Sequence, residues 1–104
     1  MMKRIVTLLL LLPSAAFANT DFGNPQLGKV KVPSCVFCHG SDGTASNPTY
    51  QNLKGQNAQY QFQSMKDYQD GHRQGPLAEM MQAQLSRLND QDLKDIAAYF
   101  ASQD

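Results

Sequence analysis

The sequence predicts a small all-α domain, and three observations support that prediction. Apolar residues recur at helical spacing in several segments, most clearly at Leu93, Ile96 and Phe100. Gly and Pro residues separate these segments at short intervals. No segment shows convincingly the alternation of apolar and polar residues that is typical of a half-buried strand. The chain is therefore expected to pack helices around one modest core.

The first half of the chain predicts two short helices and a long loop. Pro25 suits the first position of a helix over residues 25–32, and Pro33 is expected to end it. A short turn of helix is expected over residues 35–39, with Ser34 as its cap. Residues 40–56 are rich in Gly, Ser, Asn and Pro, and a loop of this length in a compact domain is usually functional or wraps around something.

The second half predicts three longer helices. They are expected over residues 57–69, over residues 76–87, and from Asn89 or Asp90 towards the C-terminus. The last of these is the clearest, because Asp90 and Asp92 place negative charge where the helix dipole favours it.

The N-terminal residues have the pattern that is typical of a secretory signal peptide. Lys3 and Arg4 form a basic start, residues 5–12 are an apolar run too short to span a membrane, and residues 16–18 give the small-x-small pattern that signal peptidase reads. Cleavage after Ala18 is expected, with an uncleaved anchor as the alternative. The mature domain would then be residues 19–104, free in the periplasm without stable membrane insertion.

Charge and size narrow the possible functions. Removal of the signal peptide leaves seven basic against nine acidic residues, a net charge of −2. Because no basic stripe remains, nucleic acid is not expected as a partner. The mature chain makes one small domain with few large aliphatic residues, so another group is expected to help fill its centre.

The segment "PSCVFCHGSDG" (33–43) holds both cysteines and one of the two histidines of the chain. Four interpretations compete: a redox dithiol, part of a zinc site, a structural disulfide and a covalent haem anchor. A dithiol of the thioredoxin type needs a strand-to-helix junction, and strands are not predicted. Zinc needs four ligands, and Cys35, Cys38, His39 and His72 supply that number, but the adjacent Cys38 and His39 fit one tetrahedral ion poorly.

The haem interpretation explains all three residues of the motif at once. In C-x-x-C-H, each thiol adds to one vinyl group of the porphyrin, and the histidine that follows binds the iron. The expected export agrees, because c-type haem is attached outside the cytoplasm. A helical domain short of large aliphatic residues also agrees, because the porphyrin can serve as its missing core.

Three segments, in this order, resemble small class I bacterial cytochromes c of the cytochrome c4 and c-553 type. They are "CVFCHGSDG" (35–43), "NPTYQNLKGQNAQYQFQSMKDYQDGHR" (47–73) and "MMQAQLSRLNDQDLKDIAAYFASQ" (80–103). The resemblance covers nearly all of the mature chain. It implies the class I fold, with three main helices plus a short haem-attachment helix around one covalently bound haem c per chain. It also implies that the first helix crosses the last one at Gly28, against Tyr99 or Phe100.

The resemblance also implies the cofactor-binding residues. Cys35 and Cys38 would bind the haem, and His39 would be one iron ligand. Met81 stands seven residues before Leu88, as the ligand methionine of the family does, and is therefore the expected second iron ligand.

The other candidate ligands are ranked lower. Met80 is second to Met81, although a methionine stripe is more often core packing than a ligand set. Met65 is expected in the core, and His72 in an exposed turn. Further residues are expected near the haem: Pro48 close to His39, where a backbone carbonyl can hold the imidazole N–H, and Tyr50, Gln56, Tyr60 and Arg73 at the propionates.

A six-coordinate iron leaves no open position for substrate, so the resemblance implies an electron carrier and not an enzyme. Its partners would be redox proteins that dock transiently at the haem edge, beside the outward-pointing Phe37. Two alternatives remain open at this point. One is a haem enzyme or gas sensor with a free sixth position, and the other is a C-x-x-C thiol redox protein without haem.

Overall fold

The computed structural model describes residue 2, residues 5–11 and residues 22–104. Within these residues the fold is all-helical, with five helices and no strand, which confirms the predicted fold class. No helix of the described part has the length and apolar character needed to cross a membrane. The predicted cleavage after Ala18, and the domain boundary there, lie outside the described residues.

The first two helices nearly join. Helix α1 spans Pro25–Lys31 and helix α2 spans Pro33–His39, with only Val32 between them. Pro33 was expected to end the first helix, but it also begins the next, because the missing N–H of proline is not needed at the first helical position. Val32 therefore holds the N-cap position of α2, and the prediction that Ser34 caps this helix is wrong, since Ser34 lies inside it.

The three longer helices follow the prediction closely. Helix α3 spans Ala58–Gln69 and is capped by Asn57, whose side-chain oxygen accepts the N–H of Tyr60 at 2.9 Å. Helix α4 spans Pro76–Leu85 and ends two residues earlier than predicted, because the backbone tightens into i→i+3 hydrogen bonds at this point. With α1 and the short α2, these helices account for all five helices that the sequence predicts.

Helix α5 spans Asp90–Ala101 and supplies most of the core. A capping box fixes its start: the Asn89 side chain accepts the N–H of Asp92 at 2.8 Å, and the Asp92 carboxylate accepts the N–H of Asn89 at 3.0 Å. The predicted apolar face of this helix is buried, including Ile96 and Phe100. Both pack with Val32 in the central apolar cluster, so α5 is the element on which the domain is assembled.

Helix α1 crosses α5 at Gly28. A Cβ atom at Gly28 would overlap the backbone oxygen of Asp95 and would lie 2.8 Å from the Cβ atom of Tyr99. Only glycine permits this close approach of two helix backbones. The predicted contact between Gly28 and Tyr99 is thereby confirmed.

A polar network closes the same interface. The Lys31 ammonium donates to Asp95 at 2.7 Å and to Asp92 at 2.9 Å. Asp95, only 1% exposed, also accepts the backbone N–H of Asn24 at 2.8 Å and the side-chain amide of Gln91 at 2.9 Å. Burial alone would raise the pKa of the Asp95 carboxyl, but these donors and the charge of Lys31 outweigh it and lower the pKa.

Candidate haem site

A cavity of about 400 Å³ lies beside the central cluster, between α2, α3, α4 and α5. Its wall is largely apolar and includes Leu53, Met65 and Leu85. Ile96 and Phe100 belong both to this wall and to the central cluster. The side chains that complete the small core therefore also line the cavity.

Helix α2 brings both cysteines to the cavity. Cys35 and Cys38 are one helical turn apart, both are half-buried free thiols, and both line the cavity. The helix ends at His39, and its C-cap is Gly40, which has a φ of 84° and whose N–H donates to the Val36 carbonyl at 2.9 Å. This left-handed residue turns the chain away directly after His39.

Burial of Cys35 bears on the redox-dithiol interpretation. Desolvation raises the pKa of the Cys35 thiol, and its hydrogen bond to Ser34 offsets this only in part. The nucleophilic cysteine of a thiol oxidoreductase needs a lowered pKa, because the thiolate is the reactive form. The direction of this shift does not favour the dithiol interpretation.

The imidazole of His39 is held by the loop that follows. Its Nδ1 atom lies 2.7 Å from the backbone oxygen of Gln51. Because a carbonyl oxygen only accepts hydrogen bonds, Nδ1 carries the proton and the lone pair of Nε2 is left for a ligand. The expected backbone carbonyl is present and belongs to Gln51, whereas Pro48 is exposed and does not line the cavity.

The loop between α2 and α3 is folded back to make this contact. The Gly43 carbonyl accepts the N–H groups of Leu53 and Lys54 at 2.6 and 3.1 Å, and the Asn52 side chain accepts the N–H of Ala45 at 2.7 Å. These bonds place residues 49–53 in the cavity wall. The long loop predicted from composition thus wraps the cavity.

Helix α4 brings two methionines to the same cavity. Met80 is 37% exposed, Met81 is half-buried, and both line the cavity that His39 also lines. Met65 on α3 packs against the central cluster, as expected for a core residue, although it also reaches the cavity wall. That Met81 binds the iron stays a prediction.

His72 stands apart from this site. It lies in the exposed segment between α3 and α4, with Nδ1 3.7 Å from an Asp67 oxygen, and it does not line the cavity. Within residues 22–104, no three His, Cys, Asp or Glu side chains are grouped to hold a metal ion. The zinc interpretation, which needs His72 beside the cysteines, therefore lacks its fourth ligand.

Polar side chains also line the cavity. Tyr50, Gln56, Tyr60 and Arg73, the residues expected near the propionates, all line the cavity. The Arg73 guanidinium donates to the Tyr68 hydroxyl at 3.1 Å and to the Ser64 hydroxyl at 3.2 Å, and it stacks 4.7 Å from the centre of the Tyr68 ring. These bonds use two of its five N–H donors.

Gln61 is a lining residue that sequence reasoning missed. It is buried on α3, and its amide donates to the Gln56 carbonyl at 2.8 Å and to the Leu53 carbonyl at 3.4 Å. It thereby ties the loop to the helix behind the cavity. One signal could have found it: Gln61 lies three residues after Ala58 and four before Met65, on the apolar face of the predicted helix.

The residues present fit a covalent haem. The cavity is lined by two thiols and an imidazole from α2, by thioethers from α4, by apolar side chains and by several polar ones. This donor set suits a porphyrin with two vinyl groups, an iron atom and two carboxylates.

Comparison with known proteins agrees with this arrangement. The cytochrome c family model matches residues 26–104. Cytochrome c-554(548) of Halomonas halodenitrificans is 45% identical over 82 residues, which cover 79% of this chain and 99% of that protein. Cytochrome c4 of Pseudomonas aeruginosa is 43% identical over 103 residues, which cover 99% of this chain and 49% of that protein.

Solved structures agree as well. Reduced recombinant cytochrome c4 from Pseudomonas stutzeri superposes with a TM-score of 0.70 at 39% identity, covering 79% of this chain and 46% of that one. The chain thus spans about half the length of the cytochrome c4 relatives it matches. The chain belongs to the cytochrome c family and is a c-type cytochrome, an electron carrier with covalently bound haem c.

Proposed function

We propose that this protein is a periplasmic monohaem cytochrome that carries one electron at a time between redox proteins, with its iron bound by His39 and Met81. One observation carries the proposal: Cys35, Cys38, His39 and Met81 all line a single cavity. The mature protein would be residues 19–104, released by cleavage after Ala18. The single C-x-x-C-H motif provides for one haem per chain.

The two thiols of α2 would anchor the cofactor. Cys35 and Cys38 would each hold the haem by a thioether bond to one vinyl group, and because the S–H would add across the double bond, no atom would be lost. Because Cys35 and Cys38 lie one turn apart on one helix, their sulfurs can reach two substituents along one porphyrin edge. A rigid helix then fixes the position of the next residue, His39.

The two iron ligands would come from different helices, His39 from α2 and Met81 from α4. The hydrogen bond from His39 Nδ1–H to the Gln51 carbonyl fixes the ring and makes Nε2 a better donor. Met81 would supply a thioether, a soft ligand that favours Fe(II) and raises the reduction potential. Bound haem c supplies the Fe(II)/Fe(III) couple. With both axial positions taken by the chain, no position is left for a substrate, so the protein would not be an enzyme.

Absorption spectra of the purified protein test the proposal. We expect sharp reduced α and β bands, a weak near-infrared sulfur-to-iron band when oxidised, and no response to carbon monoxide. A Met81→Ala variant should lose the near-infrared band and bind carbon monoxide. The matched Met80→Ala variant, one residue away on the same helix, should keep the band.

Three outcomes would contradict parts of the proposal. Carbon monoxide binding by the unmodified protein would indicate a haem enzyme or gas sensor with an open sixth position. Loss of the near-infrared band in Met80→Ala but not in Met81→Ala would move the ligand to Met80. A preparation without a Soret band, from cells able to attach haem, would leave only a thiol redox function.

A further inference from the structure

We propose that Asn52 is a positioning residue for the iron ligand His39, because its side chain holds in place the backbone carbonyl that the imidazole contacts. Asn52 directly follows Gln51, whose carbonyl oxygen lies 2.7 Å from His39 Nδ1. Through this carbonyl, Asn52 would help to set the reduction potential without binding the iron itself. The inference rests on the proposed electron-carrier function and adds a residue that tunes it.

The direction of the Gln51 carbonyl depends on the neighbouring residues of the loop. Among the hydrogen bonds of the described residues, Gln51 takes part only in the one with His39. Gln51 is exposed and lies in no helix, so neither burial nor regular secondary structure fixes its peptide group. The groups that hold this carbonyl on the imidazole must therefore belong to the adjacent positions in the chain.

Asn52 provides such a fixed point directly after Gln51. Its side-chain oxygen accepts the N–H of Ala45 at 2.7 Å, across seven residues of the loop. The next residue, Leu53, donates its N–H to the Gly43 carbonyl at 2.6 Å. Because the Gln51 carbonyl belongs to the planar peptide group that joins Gln51 to Asn52, anchoring Asn52 restricts the rotation of that group. The bond to Ala45 thereby keeps the carbonyl within reach of the imidazole.

The carbonyl contact bears on the reduction potential through the donor strength of the imidazole. A hydrogen bond from Nδ1–H to a carbonyl makes Nε2 more basic, and a more basic ligand stabilises Fe(III) more than Fe(II). Loss of the contact should therefore raise the potential. A general loosening of the cavity wall would act in the opposite direction, since water near the iron stabilises the more highly charged Fe(III) state. The sign of the shift thus separates a positioning role from a merely structural one.

Voltammetry of the haem-loaded Asn52→Ala variant tests this sign. The variant loses the acceptor for the Ala45 N–H, and we expect a rise in potential equal to about a two- to tenfold change in the ratio of oxidised to reduced protein, the range for one hydrogen bond. Tenfold corresponds to about 59 mV for one electron. Proton NMR of the reduced protein gives an independent readout: solvent exchange of the Ala45 amide and of His39 Nδ1–H should become at least about twofold faster.

Two further variants serve as controls. Asn52→Asp keeps the acceptor oxygen, so both protons should exchange as slowly as in the unmodified protein, while the added negative charge lowers the potential. Asn57→Ala removes another bond from an asparagine side chain to a backbone N–H, that of Tyr60 at 2.9 Å. Asn57 caps α3 and does not line the cavity, so this variant should lower stability and leave the potential unchanged.

The outcomes distinguish this inference from the proposed function. An unchanged or lowered potential in Asn52→Ala would overturn the positioning role, and so would an unchanged exchange rate of His39 Nδ1–H. Faster exchange of that proton in Asn52→Asp would contradict the role of the acceptor oxygen. An equal rise in potential in Asn57→Ala would show that the shift follows stability and not the carbonyl. All of these results require a haem-loaded protein, whereas a missing Soret band would contradict the electron-carrier function itself.

Discussion

Replacement of Asp95 by asparagine should be among the most destabilising single changes outside the haem cavity. The carboxylate is 1% exposed and accepts hydrogen bonds from the Lys31 ammonium, the Asn24 backbone and the Gln91 amide. Hydrogen bonds to a charged group contribute about 1.5–3 kcal/mol each, and breaking a buried ion pair costs about 3–5 kcal/mol. Since Lys31 keeps its second partner, Asp92, we expect Asp95→Asn to lower the free energy of unfolding by about 3 kcal/mol.

Urea unfolding of the haem-loaded protein measures this loss, and its pH dependence gives a second check. The pKa of Asp95 is lowered in the folded state from its ordinary value of 3.8. The carboxylate therefore contributes fully to the free energy of unfolding above pH 3.8. This contribution disappears as the pH falls through the folded-state pKa. The difference in the free energy of unfolding between the unmodified protein and Asp95→Asn should consequently become smaller in acid. Asp92 and Asp95 raise the pKa of Lys31 from 10.5, so Lys31 loses its contribution to the free energy of unfolding only at alkaline pH above that value.

Asp90→Asn is the matched control, because Asp90 begins the same helix and forms an exposed pair with Lys66 at 3.0 Å. Its loss of stability should be far smaller, since exposed ion pairs contribute little. If Asp95→Asn costs no more than Asp90→Asn at neutral pH, or if the difference between Asp95→Asn and the unmodified protein stays constant into acid, the stabilising role assigned to the buried network is wrong.

Two further predictions concern the helix crossing and the cavity wall. Gly28→Ala should lower stability by about 2 kcal/mol or more in thermal unfolding, since its Cβ would overlap the α5 backbone, whereas Val30→Ala on the exposed side of α1 should change little. Arg73→Gln should lower the reduction potential measured by voltammetry, because it removes the only Lys or Arg cation of the described cavity wall, whereas the exposed Arg87→Gln should leave the potential unchanged.

Side-chain patterns explain what could be predicted from the sequence. The spacing of Cys35, Cys38 and His39 alone indicated a covalent haem site, because that chemistry needs those groups within one helical turn. The start of α5 could also be predicted from the sequence, because Asn89 and Asp92 form a local capping box and are only three residues apart. Such features depend on a few neighbouring residues, so the rest of the fold has little influence on them.

The features that were missed depend on the backbone or on distant contacts. The acceptor for His39 is the main-chain carbonyl of Gln51, and any residue type at that position could supply it. Family resemblance led to the expectation of a backbone carbonyl in the region of Pro48, and the carbonyl that contacts the imidazole lies three residues further along the chain. The start of α2 at Pro33 was missed, because a proline can either end one helix or occupy the first position of the next.

Within this small domain, folding stability and redox chemistry depend largely on different residues. Gly28, Lys31 and Asp95 join α1 to α5, and none of them lines the cavity. Their replacement should therefore change the free energy of unfolding more than the reduction potential. Ile96 and Phe100 are different, because they pack in the central cluster and also form the cavity wall. A change at Phe100 would alter both properties together, since the same ring completes the core and excludes water from the haem site.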